Sequence, residues 1–183
     1  MISLLIDTHF NNAVIVLYKN GTAISIKNIE SKMCHSQIVV PLIEETLNFN
    51  KILVDELDEI IVVNGPGSFT GVRIGVTIAK TLAYTLNIPI KIISSLLLKA
   101  INIEGEKKVA ISDRNGSYIG HFDSENNLIG DYVYLSKHDM LKEAAIEHVE
   151  IDYNEVYKYI KEIPTLNPHA VKPIYVKQIE VEK

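Results

Sequence analysis

The sequence predicts an α/β chain of two lobes, each a mixed sheet that opens with an antiparallel meander and is packed by helices. Three observations carry this expectation. Segments with strand periodicity fall into two groups, residues 2–29 and 108–136, each broken by short turn signals. Two long helix-periodic segments lie after the first group, with a short buried strand between them. The polar, glycine-containing stretch "INIEGEKK" at 101–108 divides the halves. The lobes are therefore expected at residues 1–98 and 106–183, the second smaller and abbreviated, with a closing segment that could cross back to the first. The halves look related in plan but carry no detectable sequence repeat.

In order, Ile2 to Thr8 reads as the first strand, "HFNN" as a turn, and Ala13 to Tyr18 as the strand that pairs back. Asn20-Gly21 is a type I′ hairpin signal before a third strand, Thr22 to Ile29. A meander here is unlike a Rossmann start, in which a helix follows the first strand. "SQIVVPLIEETLNF" predicts a helix with Pro41 near its first turn, where a missing N–H costs least. Its apolar residues fill an arc of roughly 200°, about twice the minimum stripe of a surface helix. Glu59 to Val63 is a buried strand, and Phe69 to Leu86 a second helix with an equally broad arc. In that helix Gly75, Ala79 and Ala83 form a ridge of small residues that lets another element come close. "IPIKIIS" is a strand and "SLLLKAIN" a short helix. The second meander comprises "KVAISD", "GSYIGHFDS" and "NLIGDYVYLS"; helices at Ser136 to Ala145 and "YNEVYKYIKEI" and a closing strand "KPIYVKQIEV" complete the chain.

Composition excludes several classes. With 183 residues and 47% hydrophobic content the chain can bury a sizeable core. No apolar run approaches the ~20 residues that span a bilayer, and "MISLLIDTHF" lacks the marks of a signal peptide, so no membrane association is expected. The single cysteine, Cys34, excludes an internal disulfide and fits a reducing, cytoplasmic setting. The net charge is −5, and only Arg73 and Arg114 among the 18 basic residues are arginines. A duplex-binding face needs clustered cations, so direct nucleic-acid binding by the chain alone is not expected.

The stretch "VNGPGSFTGVRIGVT", 63–77, invites comparison with phosphate loops. Gly65 and Gly71 lie six apart and Val72 stands where a Walker A lysine belongs. Ser68 has Pro66 and Thr70 at −2 and +2 in place of the glycines of a nucleophile elbow. The Gly-x-Gly-x-x-Gly fingerprint fails at Thr70. Two readings stay open: a tight turn into a helix capped by Ser68 or Thr70, or an anion contact at the helix N-terminus involving Asp7, Thr8, Gly65, Gly67 and Ser68.

"NGPGSFTGVRIGVTIAKTLA" closely resembles the signature of the bacterial TsaB (YeaZ) family. "LLIDTHFNNAVIVLY", "HSQIVVPLIEETL" and "NIPIKIISSLLLKA" resemble the family's other segments, as do "AISDRNGSYIGHFD" and "KPIYVK", where Ser112-Asp113-Arg114 and Lys177 depart slightly. The resemblance implies the actin-like/Hsp70-like ATPase (ribonuclease H-like) fold. It also implies a role in making threonylcarbamoyladenosine, beside the anticodon of tRNAs that read codons starting with A. In that role the chain would be a non-catalytic scaffold. It would bind and activate the TsaD catalytic subunit, joined by the TsaE ATPase, and touch tRNA only through the complex.

The hairpin after Asp7 departs from the Asp-x-Gly-Thr of active members of this fold. "DTHFNN" has no glycine, and side chains there crowd phosphate from the backbone. Asp7 could hold Mg²⁺ through water or cap a turn. No cofactor of its own is expected, ATP and Mg²⁺ entering only at the level of a complex. No metal site is expected either: TsaD-like enzymes use His-x-x-x-His, whereas His35 is followed four residues later by Val39, and no other histidine pair has that spacing. The broad apolar arcs suggest a partner surface. With the two helices side by side, Ile38, Leu42, Ile74 and Ile78 are the candidates for its exposed half, unless another part of the chain covers them. Without TsaD the same surface is expected to form a homodimer. The alternative function is a weak sugar-kinase-like or acetate-kinase-like phosphotransferase of the same fold, which would need a glycine hairpin and a catalytic acid in the second lobe.

Overall fold

The computed structural model describes residues 1–30, 34–140 and 143–177. β1 (Ile2–Asp7), β2 (Asn12–Lys19) and β3 (Thr22–Glu30) form the first meander. Asn20 and Gly21 take φ of 52° and 85°, the left-handed pair that a two-residue type I′ turn requires. β4 (Glu59–Val63) and β5 (Ile90–Ile93) add in parallel beside β1, giving a mixed sheet of order β3-β2-β1-β4-β5. These central strands read as unbroken apolar runs because both faces of the sheet are covered.

One face is covered by α1 (His35–Phe49) and α2 (Phe69–Leu86). Val39, Leu42, Ile43 and Leu47 of α1 and Val72, Val76, Ala79 and Ala83 of α2 enter the core beside Leu4, Ile6, Ile15 and Ile60. Pro41 lies well inside α1, beyond its first turn. Pro41 and Gln37 are both exposed, so the lost hydrogen bond falls on the solvent side, where water can serve the carbonyl.

The other face is closed by α3 (Ser95–Ala100) and by α5 (Tyr153–Ile160), which returns from the second half of the chain. α3 is apolar over most of its circumference because it is buried on two sides, with Lys99 reaching the Ala110 and Glu147 carbonyls. Its Leu98 packs on the first sheet and its Leu96 and Ala100 on the second. α5 is fixed by a buried polar network. Lys91 Nζ lies 3.4 Å from the Glu59 carboxylate and donates to the carbonyls of Ile160 and Lys161 at the end of α5, 3.1 Å each. Ser3 donates to the same Glu59 at 2.9 Å. A cation at a helix C-terminus is favoured by the dipole, and a buried charge pair is tolerable only when its remaining hydrogen-bonding groups are served, as here.

The second sheet is β6 (Lys107–Ser112), β7 (Gly116–Phe122) and β8 (Val133–Ser136), antiparallel throughout, with one parallel bridge from Val109 to Ile146. Asp113 closes the β6–β7 turn. Burial pushes its carboxyl up, but donors from the Tyr134 hydroxyl and the Asn115 and Gly116 N–H groups hold it below the usual carboxylate range. Besides the place of Pro41, three expectations need correction. The strand expected over 127–136 is only β8, because Asn126 and Gly130, at φ 67° and 75°, turn the chain before it. The helix expected from Ser136 to Ala145 is the single turn α4 (Lys137–Met140), with residues 141 and 142 outside the described residues. The closing strand is absent over 171–177, and the rest of it lies outside the described residues. Instead the chain runs as a strap over α2, with a 3-10 turn at Pro168–Ala170: Leu166 bridges Ile90, Lys80 donates to the Val171 carbonyl, and Asn64 and the 172–174 backbone exchange hydrogen bonds.

Candidate functional site

α2 has two faces that matter. On its inner side the "DTHFNN" hairpin packs against the loop and first turns of the helix. Asp7, 3% exposed, accepts from the His9 backbone N–H at 3.0 Å and contacts His9 Nδ1 at 2.6 Å. Thr8, fully buried, donates from Oγ1 to the Gly71 carbonyl at 2.7 Å. The His9 carbonyl accepts from Ser68 N–H at 2.7 Å, and Ser68 Oγ caps α2 by accepting from Gly71 N–H at 3.2 Å. The glycines allow this approach. A Cβ on Gly67 would sit 2.2 Å from the His9 carbonyl oxygen, one on Gly71 2.2 Å from that of Thr8, and one on Gly75 2.3 Å from Thr8 Oγ1. Gly65, at φ 96°, turns the chain beneath Ile174 and Val72.

The five residues considered for an anion contact are thus gathered at one corner, but Asp7 spends its carboxylate on His9, and Thr8 and Ser68 spend their hydroxyls on Gly71 of α2. At this corner the His9 and Thr8 carbonyls pack directly against Gly67 and Gly71, in the space a Cβ would take. Among the described residues there is also no cluster of three or more His, Cys, Asp or Glu that could hold a metal ion.

On the outer side an open groove of about 410 Å³ runs between α1 and α2. Its apolar wall is Val40, Phe69, Ile74 and Ile78; Ser36, Thr70, Thr77 and Arg73 supply the polar atoms. Of the four residues expected on an exposed half, Ile74 and Ile78 line it. Leu42 does not: at 3% exposure it belongs to the core. Ile38 is half-buried at the core's edge and is not part of the lining. The residues that sequence reasoning missed are Val40, 54% exposed, and Phe69, 46% exposed. Val40 and Ile38 lie about 160° apart around the helix, at opposite edges of the buried stripe, and α2 lies on the Val40 side. The width of the arc was a usable signal; the side taken by α2 was not readable from it.

The family described as TsaD, tRNA N6-adenosine threonylcarbamoyltransferase, matches residues 28–151, more than half of the chain. The chain is also similar to the tRNA threonylcarbamoyladenosine biosynthesis protein TsaB of Bacillus subtilis, 38% identical over 137 residues that cover 73% of this chain and 60% of the relative. The chain belongs to this TsaD-type family, in its TsaB (YeaZ) branch. A TsaB of Buchnera aphidicola from Schizaphis graminum is 32% identical over 134 residues, covering 70% of this chain and 63% of that one. The chain therefore spans less than two thirds of the length of these curated TsaB relatives. Among solved structures, YeaZ from Pseudomonas aeruginosa superposes with a TM-score of 0.78 over 95% of this chain and 99% of the other, at 18% identity. That likeness establishes the fold, which is the one the TsaB-like motifs imply. Among the described residues no helix is long and apolar enough to cross a membrane.

Proposed function

We propose that this protein acts in the synthesis of tRNA threonylcarbamoyladenosine as the non-catalytic partner subunit, binding a TsaD-like catalytic subunit in the cytoplasm through the groove between α1 and α2. The observation that carries this is the pair of opposite faces on one helix in a TsaB-branch chain. The inner face is closed by the chain's own hairpin, and the outer face leaves apolar side chains open to solvent. Contiguous exposed apolar surface of this kind marks an interaction site. A TsaE-like ATPase would join the pair, with ATP and Mg²⁺ handled at the level of the complex and tRNA reached only through it. Alone, the protein would cover the groove with a second copy.

The test is co-purification with the TsaD-like and TsaE-like proteins of the same genome, followed by a tRNA modification assay with and without this chain. Stable capture of the TsaD-like subunit, and modification that depends on the addition, is the expected result. Undiminished modification without the chain would remove the proposal. The isolated protein is expected to hydrolyse no ATP above background; turnover lost in an Asp7→Ala variant would show instead that the corner is catalytic.

A further inference from the structure

The groove's polar wall contains one charged residue, and it is held more firmly than an exposed arginine ordinarily is. The Arg73 guanidinium lies 3.5 Å from the centre of the Phe69 ring and 5.4 Å from that of Tyr175, and its Nε–H donates to the Tyr175 hydroxyl at 2.7 Å. The Phe69 and Tyr175 rings are themselves 5.5 Å apart. Tyr175 comes from the strap, whose backbone is tied to Asn64 just before it, with Ile174 N–H donating to the Asn64 carbonyl at 2.8 Å. Among the described residues no carboxylate forms an ion pair with Arg73, and only its Nε has an acceptor. Its two terminal amino groups are left oriented and unpaired at the rim of an apolar groove.

We infer that Arg73, set in place by Phe69 and Tyr175, is the anchor for a carboxylate, an Asp or Glu side chain carried on the apolar face of the partner protein. The inference rests on the reading of the groove as the partner surface and adds the chemistry that face must present. A planar fork of donors matches a carboxylate in two parallel hydrogen bonds, which a lysine cannot reproduce. A nucleic acid fits less well. Phosphate backbones are held by several cations together, and the rest of this lining is apolar or hydroxyl, on a chain of net charge −5. A second copy fits less well too. The lining holds no carboxylate, so a copy placed groove on groove has none there to offer Arg73. The anchor thus favours a different protein over self-association, and Tyr175 acts as a positioning residue.

The experiment is calorimetric titration of the full chain into the TsaD-like subunit of the same genome, at about 50 mM and about 500 mM NaCl, with thermal melts for each variant. Arg73→Ala is expected to lower affinity at least ~10-fold at low salt and to abolish most of the salt dependence. Arg73→Lys is expected to lose most of that factor, because the charge remains but the fork does not. Tyr175→Phe keeps the ring and removes the acceptor for Nε, with an expected loss of about 3-fold. Self-association, followed by sedimentation, is expected to be unchanged in all three. Wild-type affinity in Arg73→Ala would overturn the inference. So would an equal loss in partner binding and self-association at both salts, which would mean that the side chain only packs. A loss of tRNA retention by the chain alone with partner affinity intact would reassign the cluster to nucleic acid. A wild-type chain that fails to bind the TsaD-like subunit at all would instead bring down the proposed function itself.

Discussion

The inner and outer faces of α2 are built from interleaved residues of one short stretch. Gly67, Gly71 and Gly75 recur every fourth residue and meet the hairpin, the first two at its backbone carbonyls and Gly75 at the Thr8 side chain, whereas Phe69, Arg73 and Thr77, offset by two, face the groove. A helix places residues four apart on one side and residues two apart on nearly opposite sides. The same signature therefore specifies a closed contact and an open one. Its glycines serve close contact with the hairpin, which is why the motif resembles a phosphate loop without matching any.

Substitutions that exchange the logic of the faces test this contrast. The largest effect on folding is expected from Leu42→Lys, which puts an unpaired charge into a 3% exposed core site of α1. A loss of about 4 kcal/mol, near unfolding for many domains, should appear in chemical denaturation; a folded, soluble variant would place Leu42 on the surface after all. Gly71→Val on the inner face of α2 is next. Its Cβ meets a backbone carbonyl that cannot rotate aside, and about 3 kcal/mol is expected from the same measurement. Ser68→Ala removes the cap to Gly71 N–H and should cost about 1 kcal/mol, seen as a shift in melting temperature. Val40→Glu, on the groove wall, should change folding stability by no more than about 0.5 kcal/mol while weakening both partner binding and self-association. Sedimentation showing an unaltered dimer in that variant would move the interface elsewhere.

How far the sequence discloses these faces depends on whether a signal is local. The Asn20-Gly21 turn and the apolar runs of β1 and β4 are decided within a few residues and lie where turn and hydrophobic-run signals put them, and of the two caps the sequence allowed, Ser68 and Thr70, the structure uses Ser68. The breadth of the α1 stripe is local as well. Its orientation is not, since it depends on which side of α1 the neighbour α2 takes, so Leu42, expected on the exposed half, is core and Val40, not among the candidates, lines the groove. The closing segment is the clearest case. "KPIYVKQIEV" alternates like a strand, yet alternation names only a half-buried extended chain. Over 172–174 the backbone hydrogen bonds go to Asn64, a contact 108 residues back in the chain, and no ladder forms among the described residues. Likewise "DTHFNN" declares that it lacks glycine, but not that its carbonyls fill the corner.

The return of α5 to the first sheet has a consequence for the order in which the molecule can be made. The Tyr18 hydroxyl reaches the Tyr153 carbonyl across 135 residues, and Ser3 meets Tyr157 across 154. On a ribosome that delivers the chain from its N-terminus, the first sheet is complete in strands long before Val156, Tyr157 and Ile160 emerge to cover Leu5, Val16 and Tyr18. The nascent protein therefore carries this apolar sheet face covered by α3 alone while the segment between α3 and α5 is made, a form that chaperones bind and that aggregates when crowded. Contacts this distant also slow folding. A chain stopped at residue 150 is expected to bind a hydrophobic dye strongly and to lose it on addition of a peptide spanning α5; dye binding equal to that of the full chain would show that the first sheet closes without it.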